Sequence, residues 1–554
     1  MRYALAIALM LTLSFGLITE SFRYQSTARI WEDDYDLLFD PARIPQIEGS
    51  RVWTGLANFV TGNEELFSNS SQPYLLIGGV THYNNFFPAG VYDRSVDKTP
   101  LNTGLQDPLG NDIYGEGSVE IIEWSLDPTN GDPTAWDVTT ESRIGFDRNA
   151  YADYYVALGT QMDNLRLGIG YLHRDHTQTL TDPSNNYDYE HIFELLSPDS
   201  MTEHELETYS GDEVYSSSED DFVLSGWMDM EQMSIGADFR YAMLSYGNEA
   251  FITGAEEVYS EPEDPSHLYV FTDNLDSLNM PESGSRMAFN VKVFYDWNDM
   301  AQGRFYGGYF MKSTSYGDDA TEYWFETVED VGYDDGDPEM TFDTTLTTSV
   351  YAGDFKYSGF RLGTKQLFEV ADNFRFGFGF FWSMWSVDDS VNRFDSSYVA
   401  QVYDDGDPDT LVQNSYETYT YFTERWAMIT DGSVNTFNIP VGAEFDFSKH
   451  LVLRLGADHT IAINDLTTTH TLEAWDPEYT YYRNTDTGTS SESYADPNTR
   501  PENTSENDVT KVPATTYYYG IGWKVTDNLQ IDLMNFSDLT DIGNWRLSAT
   551  LHLD

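Results

Sequence analysis

The chain is 554 residues long, with 29 Lys+Arg against 93 Asp+Glu, no cysteine, and a formal net charge of −64. That balance excludes nucleic acid as a partner, because phosphate neutralisation needs clustered Lys and Arg, and the missing thiols exclude disulfide scaffolds, thiolate metal sites and a lipidated N-terminal cysteine. Its 33 Phe, 39 Tyr and 13 Trp exclude an acidic disordered chain, which is poor in rings.

Residues 1–20 read as an export signal, with Arg2 as the positive start and an apolar run from Ala4 to Ile18, although no small-residue cleavage motif follows closely. An uncleaved anchor is the alternative. Beyond Ile18 no stretch reaches the ~20 apolar residues of a membrane helix. If the mature chain sits in a membrane, it must do so as a closed barrel.

From residue 51 onward, segments with period-two alternation recur. Phe374, Phe376, Phe378, Phe380 and Trp382 fall on one face, and Arg375, Gly377, Gly379, Phe381 and Ser383 on the other. The same sorting appears in 233–241, 286–297 and 451–458. Strands this long, apolar and aromatic outside and Gly- and Arg-bearing inside, match a membrane barrel better than a soluble sandwich. Short links near 162–164, 230–232, 298–302, 369–372, 447–450 and 526–528 alternate with long acidic ones near 95–149, 175–219, 247–285, 313–357, 386–434 and 461–512. The expected fold is therefore an all-β, antiparallel transmembrane barrel spanning 51–554, with about 16 strands, short periplasmic turns and long acidic extracellular loops. Counts of 14 or 18 stay open, because 342–356 and 415–430 read equally as extra strands or as extracellular hairpins. The last segment alternates Trp545, Leu547, Ala549, Leu551 and Leu553 against Arg546, Ser548, Thr550 and His552, and it ends on Asp554.

Sorted by face, the bases fall inward: Arg166, Arg240, Arg286, Lys292, Arg304, Arg361, Lys365, Arg375, Arg454 and Arg546 are expected in the lumen, while the acids crowd the long links. Ahead of the barrel, Glu32, Asp33, Asp34, Asp36 and Asp40 form an acidic run that such a lumen can hold, since buried cations need partners. Two loop segments, Tyr333-Asp-Asp-Gly-Asp-Pro-Glu339 and Tyr403-Asp-Asp-Gly-Asp-Pro-Asp409, repeat almost verbatim. Their Asp334, Asp335, Asp337, Asp404, Asp405 and Asp407 are candidate Ca²⁺ ligands around a Gly turn, or simply acidic β-turns. His173 and His176 lie three apart on a strand and so point to opposite faces. With no nucleophile elbow or phosphate loop, nothing selects a catalytic site.

The run from Asp33 to Ala42, closing in Asp40-Pro41-Ala42, resembles the N-terminal segment of the outer-membrane long-chain fatty-acid transporter (FadL-like) superfamily. The resemblance implies that residues 29–50 fold into the lumen as a hatch, and that the barrel takes up hydrophobic molecules passively. The expected protein is thus an exported, non-enzymatic channel of a bacterial outer membrane. Its expected partners are membrane lipid or lipopolysaccharide and a small, hydrophobic cargo; its oligomeric state is open. Two other readings stay in play: an open, water-filled porin whose acidic mouth favours cations, and a surface protein that binds partners or divalent ions through its loops.

Overall fold

The computed structural model describes residues 20–56, 74–126, 133–196, 201–261, 269–334, 337–406, 415–496, 500–536 and 546–553. Residues 1–19 of the expected signal segment lie outside these, as do Trp545 and Asp554. Sixteen strands close into one antiparallel ring: β1 (Ser50–Leu56), β2 (Tyr74–Val80), β3 (Phe86–Pro100), β4 (Phe146–Met162), β5 (Leu165–Thr181), β6 (Met201–Met230), β7 (Met233–Glu261), β8 (Glu282–Asn298), β9 (Ala301–Tyr316), β10 (Asp337–Ala371), β11 (Phe374–Asp404), β12 (Tyr416–Ser448), β13 (Leu451–Asn484), β14 (Thr504–Thr526), β15 (Leu529–Phe536) and β16 (Arg546–Leu553). Closure is direct, since Arg51 of β1 pairs with Val80 of β2 on one side and with His552 of β16 on the other. At one rim, two-residue turns join neighbours, as where Met162 pairs with Leu165 across Asp163 and Asn164. Asp163 there has φ 52°, a left-handed turn conformation that Asp tolerates.

The alternation sorts as the chain implies. Ile169, Leu224 and Leu455 are 57%, 58% and 56% exposed on the outer face, in an apolar band far larger than a water-facing surface carries. Trp297, Phe447 and Trp523 stand exposed beside the two-residue turns, where an aromatic girdle belongs. Inward neighbours such as Arg166, Val223 and Phe381 are buried.

Strand height is uneven. β1, β2, β15 and β16 have 7 or 8 residues, whereas β6, β7 and β10 to β13 run for 29 to 35. A membrane crossing takes ~9–11 residues. The tall strands therefore extend on the order of 65 Å further along their own tilted length, at ~3.3 Å per residue. Further strands widen this wall: 116–126, 133–144 and 187–195 add beside β6, and 269–279 with 321–334 fill the space between β7 and β10.

This corrects the expectation of long loops. Most of the acidic stretches are sheet, and 342–356 and 415–430 are upper continuations of β10 and β12, which leaves the barrel count at sixteen. The reason is physical: a sheet above the membrane is wetted on both faces, so its strands carry Thr, Tyr and acids without the apolar alternation that marks the crossing.

Inside the ring lie helix α1 (Phe22–Ser26), helix α2 (Asp34–Leu37) and a 3₁₀ turn, Pro41–Gln46. The largest apolar cluster sits between this segment and β1 to β5, joining Leu38, Phe39 and Ile44 to Trp53, Tyr155 and Leu172. A smaller one packs Ile30 and Trp31 on Leu367 of β10.

Candidate functional site: the plugged lumen

The N-terminal segment holds its own shape first. Asp33 caps α2, accepting from the Tyr35 backbone N at 2.9 Å, while Asp36 Oδ2 accepts from the Asp33 N at 2.7 Å, a reciprocal capping box. Asp36 also accepts from Ser21 N and Ser21 Oγ, at 2.6 and 2.7 Å, which fastens α1 to α2. Pro41 opens the 3₁₀ turn, where its fixed φ costs nothing.

This turn is seated in glycine. A Cβ on Gly168 of β5 would lie 2.2 Å from the Pro41 carbonyl carbon and 2.4 Å from Ala42 N. On the opposite wall, one on Gly456 of β13 would lie 2.5 Å from Ala28 N. Backbone reaches the wall only because these side chains are absent. Ala42 N donates to Ser225 Oγ at 2.8 Å, and Tyr155 Oη donates to the Leu38 carbonyl at 2.7 Å.

Ionic contacts run around the ring. Glu32 Oε2 accepts from Arg304 Nη1 at 2.7 Å and from Arg43 Nη1 at 3.0 Å. Asp40 Oδ2 accepts from Lys292 Nζ and from Trp227 Nε1, both at 2.9 Å. Asp34 takes Arg51 of β1 at 3.2 Å. The exchange also runs the other way: Arg23 Nε and Nη2 of α1 donate to the two Glu444 oxygens at 2.8 and 2.7 Å, and Glu444 holds Arg375 at 2.8 Å and Arg454 at 3.2 Å as well. Two wall cations grip plug backbone: Lys365 donates to the Arg29 carbonyl, and Arg240 donates to that of Phe39 at 3.0 Å. A segment that touches β1, β4 to β10 and β12 to β14 can do so only from within the ring.

These contacts set the plug's acids apart. Burial pushes Glu32 and Asp40 upward, but Arg43 and Arg304 on the first, and Lys292 and Arg43 on the second, outweigh it and hold both below the ordinary carboxylate range. Among the described residues, Asp33 and Asp36 have no cation within ion-pair distance; burial, then the nearby Asp532, raises Asp33 to about 6, and burial followed by Asp33 raises Asp36.

Of the lumen bases read from the sequence, Arg240, Lys292, Arg304 and Lys365 reach the plug directly, and Arg375 and Arg454 through Glu444. Arg166 instead donates to Asp229 at 2.6 Å. Arg286 sits higher, on Glu219 and 3.8 Å from Asp221. Arg361 lies over the Phe381 ring, 4.8 Å from its centroid. The side chain of Arg546 lies outside the described residues. The sequence reading missed Arg23 and Arg43, and started the plug at residue 29 where the described packing begins at Glu20; the charged residue directly after the apolar run was the available signal.

The paired acidic repeats top adjacent strands, since Met340 of β10 pairs with Asp404 of β11. Of the candidate Ca²⁺ ligands there, Asp404 accepts from Gly406 N at 3.1 Å and Asp405 from Ser415 Oγ at 3.0 Å; the side chains of Asp334, Asp335, Asp337 and Asp407 lie outside the described residues. A carboxylate group that the sequence did not single out lies on the wall, where Glu205, Glu207 and Glu256 bring ligand oxygens within 4.8 Å of one another. Burial, then Glu207 and Glu205, raises the Glu256 carboxyl.

No family model and no curated protein matches this chain. Similar solved structures include three barrels. They are the P. putida toluene transporter TodX (9% identity, TM-score 0.29, 96% of this chain and 98% of that one), a Pseudomonas aeruginosa FadL homologue (9%, 0.29, 97% and 98%) and the FrpB iron transporter from Neisseria meningitidis (9%, 0.28, 94% and 84%). Identities and scores this low leave the function to be read from this chain's own plug and lumen.

Proposed function

We propose that the protein is a bacterial outer-membrane channel for passive uptake of small, hydrophobic molecules, closed at rest by residues 20–47. One observation carries this reading: the lumen is occupied by a segment held on most sides through ion pairs and backbone hydrogen bonds. A structural filling would be served as well by apolar packing, whereas a buried ion pair is strongly destabilised once one partner is removed. Both kinds of contact fall on both halves, since Ile30 and Trp31 pack on Leu367 as Leu38 and Ile44 pack on β1 to β5, and Asp40 pairs with Lys292 as Glu32 pairs with Arg304, so the segment is suited to leave as a unit.

The deciding experiment is conductance in planar bilayers, paired with toluene entry into protein-containing vesicles. The full chain is expected to be nearly silent, and deletion of residues 22–47 to produce large, stable steps. Large steps from the intact chain would make it an open porin instead. A silent deletion variant, folded by its heat-modified gel mobility, would favour the surface-protein reading, which the strands of up to 35 residues support.

A further inference from the structure

Beside the plug, the lumen contains a partly enclosed cavity of about 220 Å³. Among the described residues, four cations line it, Arg29, Lys292, Arg361 and Lys365, against the single carboxylate of Asp458. Two of the four are already matched: Arg29 lies 2.7 Å from Glu20 and Lys292 lies 2.9 Å from Asp40. The other two are not. Lys365 donates to neutral oxygens, those of Tyr24 Oη at 2.9 Å and the Arg29 carbonyl. Arg361 has the Phe381 ring beneath it and, among the described residues, no carboxylate within ion-pair distance.

The same cavity is lined by the rings of Tyr306 and Phe381, and the Tyr306 hydroxyl is buried with no hydrogen-bond partner among the described residues. Lys365 and the Tyr306 hydroxyl are buried, and charged and polar groups placed out of bulk water call for compensation; Arg361 is exposed to the lumen, where a ligand can reach it. Two unmatched cations with an unused hydroxyl donor ask for an anion, and a carboxylate meets a guanidinium and an ammonium with short, charge-assisted bonds. The flanking rings ask for a flat apolar body. A volume below the ~300–1,000 Å³ of drug-sized pockets suits one ring with its charged group.

We infer that this cavity binds a small aromatic carboxylate, its charge between Arg361 and Lys365 and its ring against Tyr306 and Phe381. As a statement about cargo it rests on the transport reading; as a statement about a site it does not.

The test is calorimetry of the purified full-length chain in detergent, with benzoate as the probe and toluene, the same ring without the charge, as its control. Benzoate is expected to bind at millimolar concentration or tighter, and toluene at least about tenfold more weakly. Arg361→Gln should weaken benzoate by a similar factor without lowering the melting temperature, and Arg361→Lys should restore most of the affinity. Equal binding of benzoate and toluene, no benzoate heat at millimolar concentration, or an Arg361→Gln variant that binds benzoate like the parent would overturn the site. Toluene passage through a chain that fails to bind benzoate sinks this inference alone. Benzoate binding by a chain that stays silent after plug deletion upholds the site and sinks the transport reading.

Discussion

Lys292 Nζ lies 2.9 Å from Asp40 Oδ2 and 3.1 Å from Asp238 Oδ2, so one strand ammonium joins a plug carboxylate to a wall carboxylate. Both acids are buried, at 5% and 3% exposure. Removing the lysine takes the nearest cation from Asp40 and leaves Asp238 with Arg240 at 3.4 Å, a loss smaller than the about 3–5 kcal/mol of a fully buried charge left with no partner, the more so because the lysine is part-exposed. Lys292→Met is expected to unseat the plug and raise bilayer current above that of the parent. Lys292→Met with Asp40→Asn should recover part of the silence, because the plug then carries no unmatched charge there and Asp238 keeps Arg240. Equal currents from parent and single variant would show that this contact does not hold the plug.

Gly168 supplies a steric counterpart. Its missing Cβ would meet plug backbone at 2.2 Å, and backbone cannot swing aside as a side-chain tip can. Gly168→Ala should therefore displace the 3₁₀ turn and expose residues 29–50 to added protease. Gly307→Ala is the matched control: its Cβ would find only the Leu362 side chain at 3.6 Å, an ordinary contact, and protection should persist. Identical protease patterns in the two variants would argue that the turn is not seated as described.

The barrel was legible because the crossing segments obey one rule, apolar toward lipid and polar or small toward the lumen. Phe378 and Phe380 against Gly377 and Gly379 show it within four residues. The tall wall was not legible for the same reason: Thr344 to Thr348 or Tyr479 to Tyr482 face water on both sides, and their pattern has no apolar period to find. In the plug, the acids Glu32 and Asp40 stood out as charges needing partners. Their pairing with Arg304 and Lys292 depends on strands some 250 residues away and on the register of a closed ring, which local sequence does not carry. Arg23 was hidden by its place just past the apolar leader, and the cavity at Arg361 depends on what the neighbouring strands leave unfilled.

Acidity should act on the plug through Asp33. Its carboxyl is raised to about 6 when docked, above the ~4 of a solvated aspartate, so the docked state binds that proton more tightly. Its contribution to docking is then full below pH ~4 and lost as pH rises through about 6; Asp36, also raised, acts in the same sense. Glu32 and Asp40 act oppositely, since their lowered values contribute above pH ~4 and fade only in stronger acid. Plug release, read as open-channel current, should rise between pH ~5 and ~7. Asp33→Asn, which stands for the protonated acid and keeps the oxygen that accepts from Tyr35 N, should flatten that rise. A current that falls over the same interval would contradict the assignment.

Salt should separate the wall from the plug. Glu207 of β6 lies directly opposite Glu256 of β7, and Glu205 completes a group within 4.8 Å; like charges paired across strands are destabilising. On a chain of net charge −64 this repulsion extends ~30 Å at 0.01 M salt and only ~3 Å at 1 M. The plug's ion pairs are buried and are screened far less. Raising sodium chloride across that range should therefore slow amide exchange in 201–215 and 250–261 several-fold while leaving plug exchange nearly constant. Glu207→Gln should remove most of the local salt response at β6 and β7, because it takes away the charge that faces Glu256. Exchange in the wall that ignores salt would mean that its acids are neutralised already, by protons or by cations held between the strands.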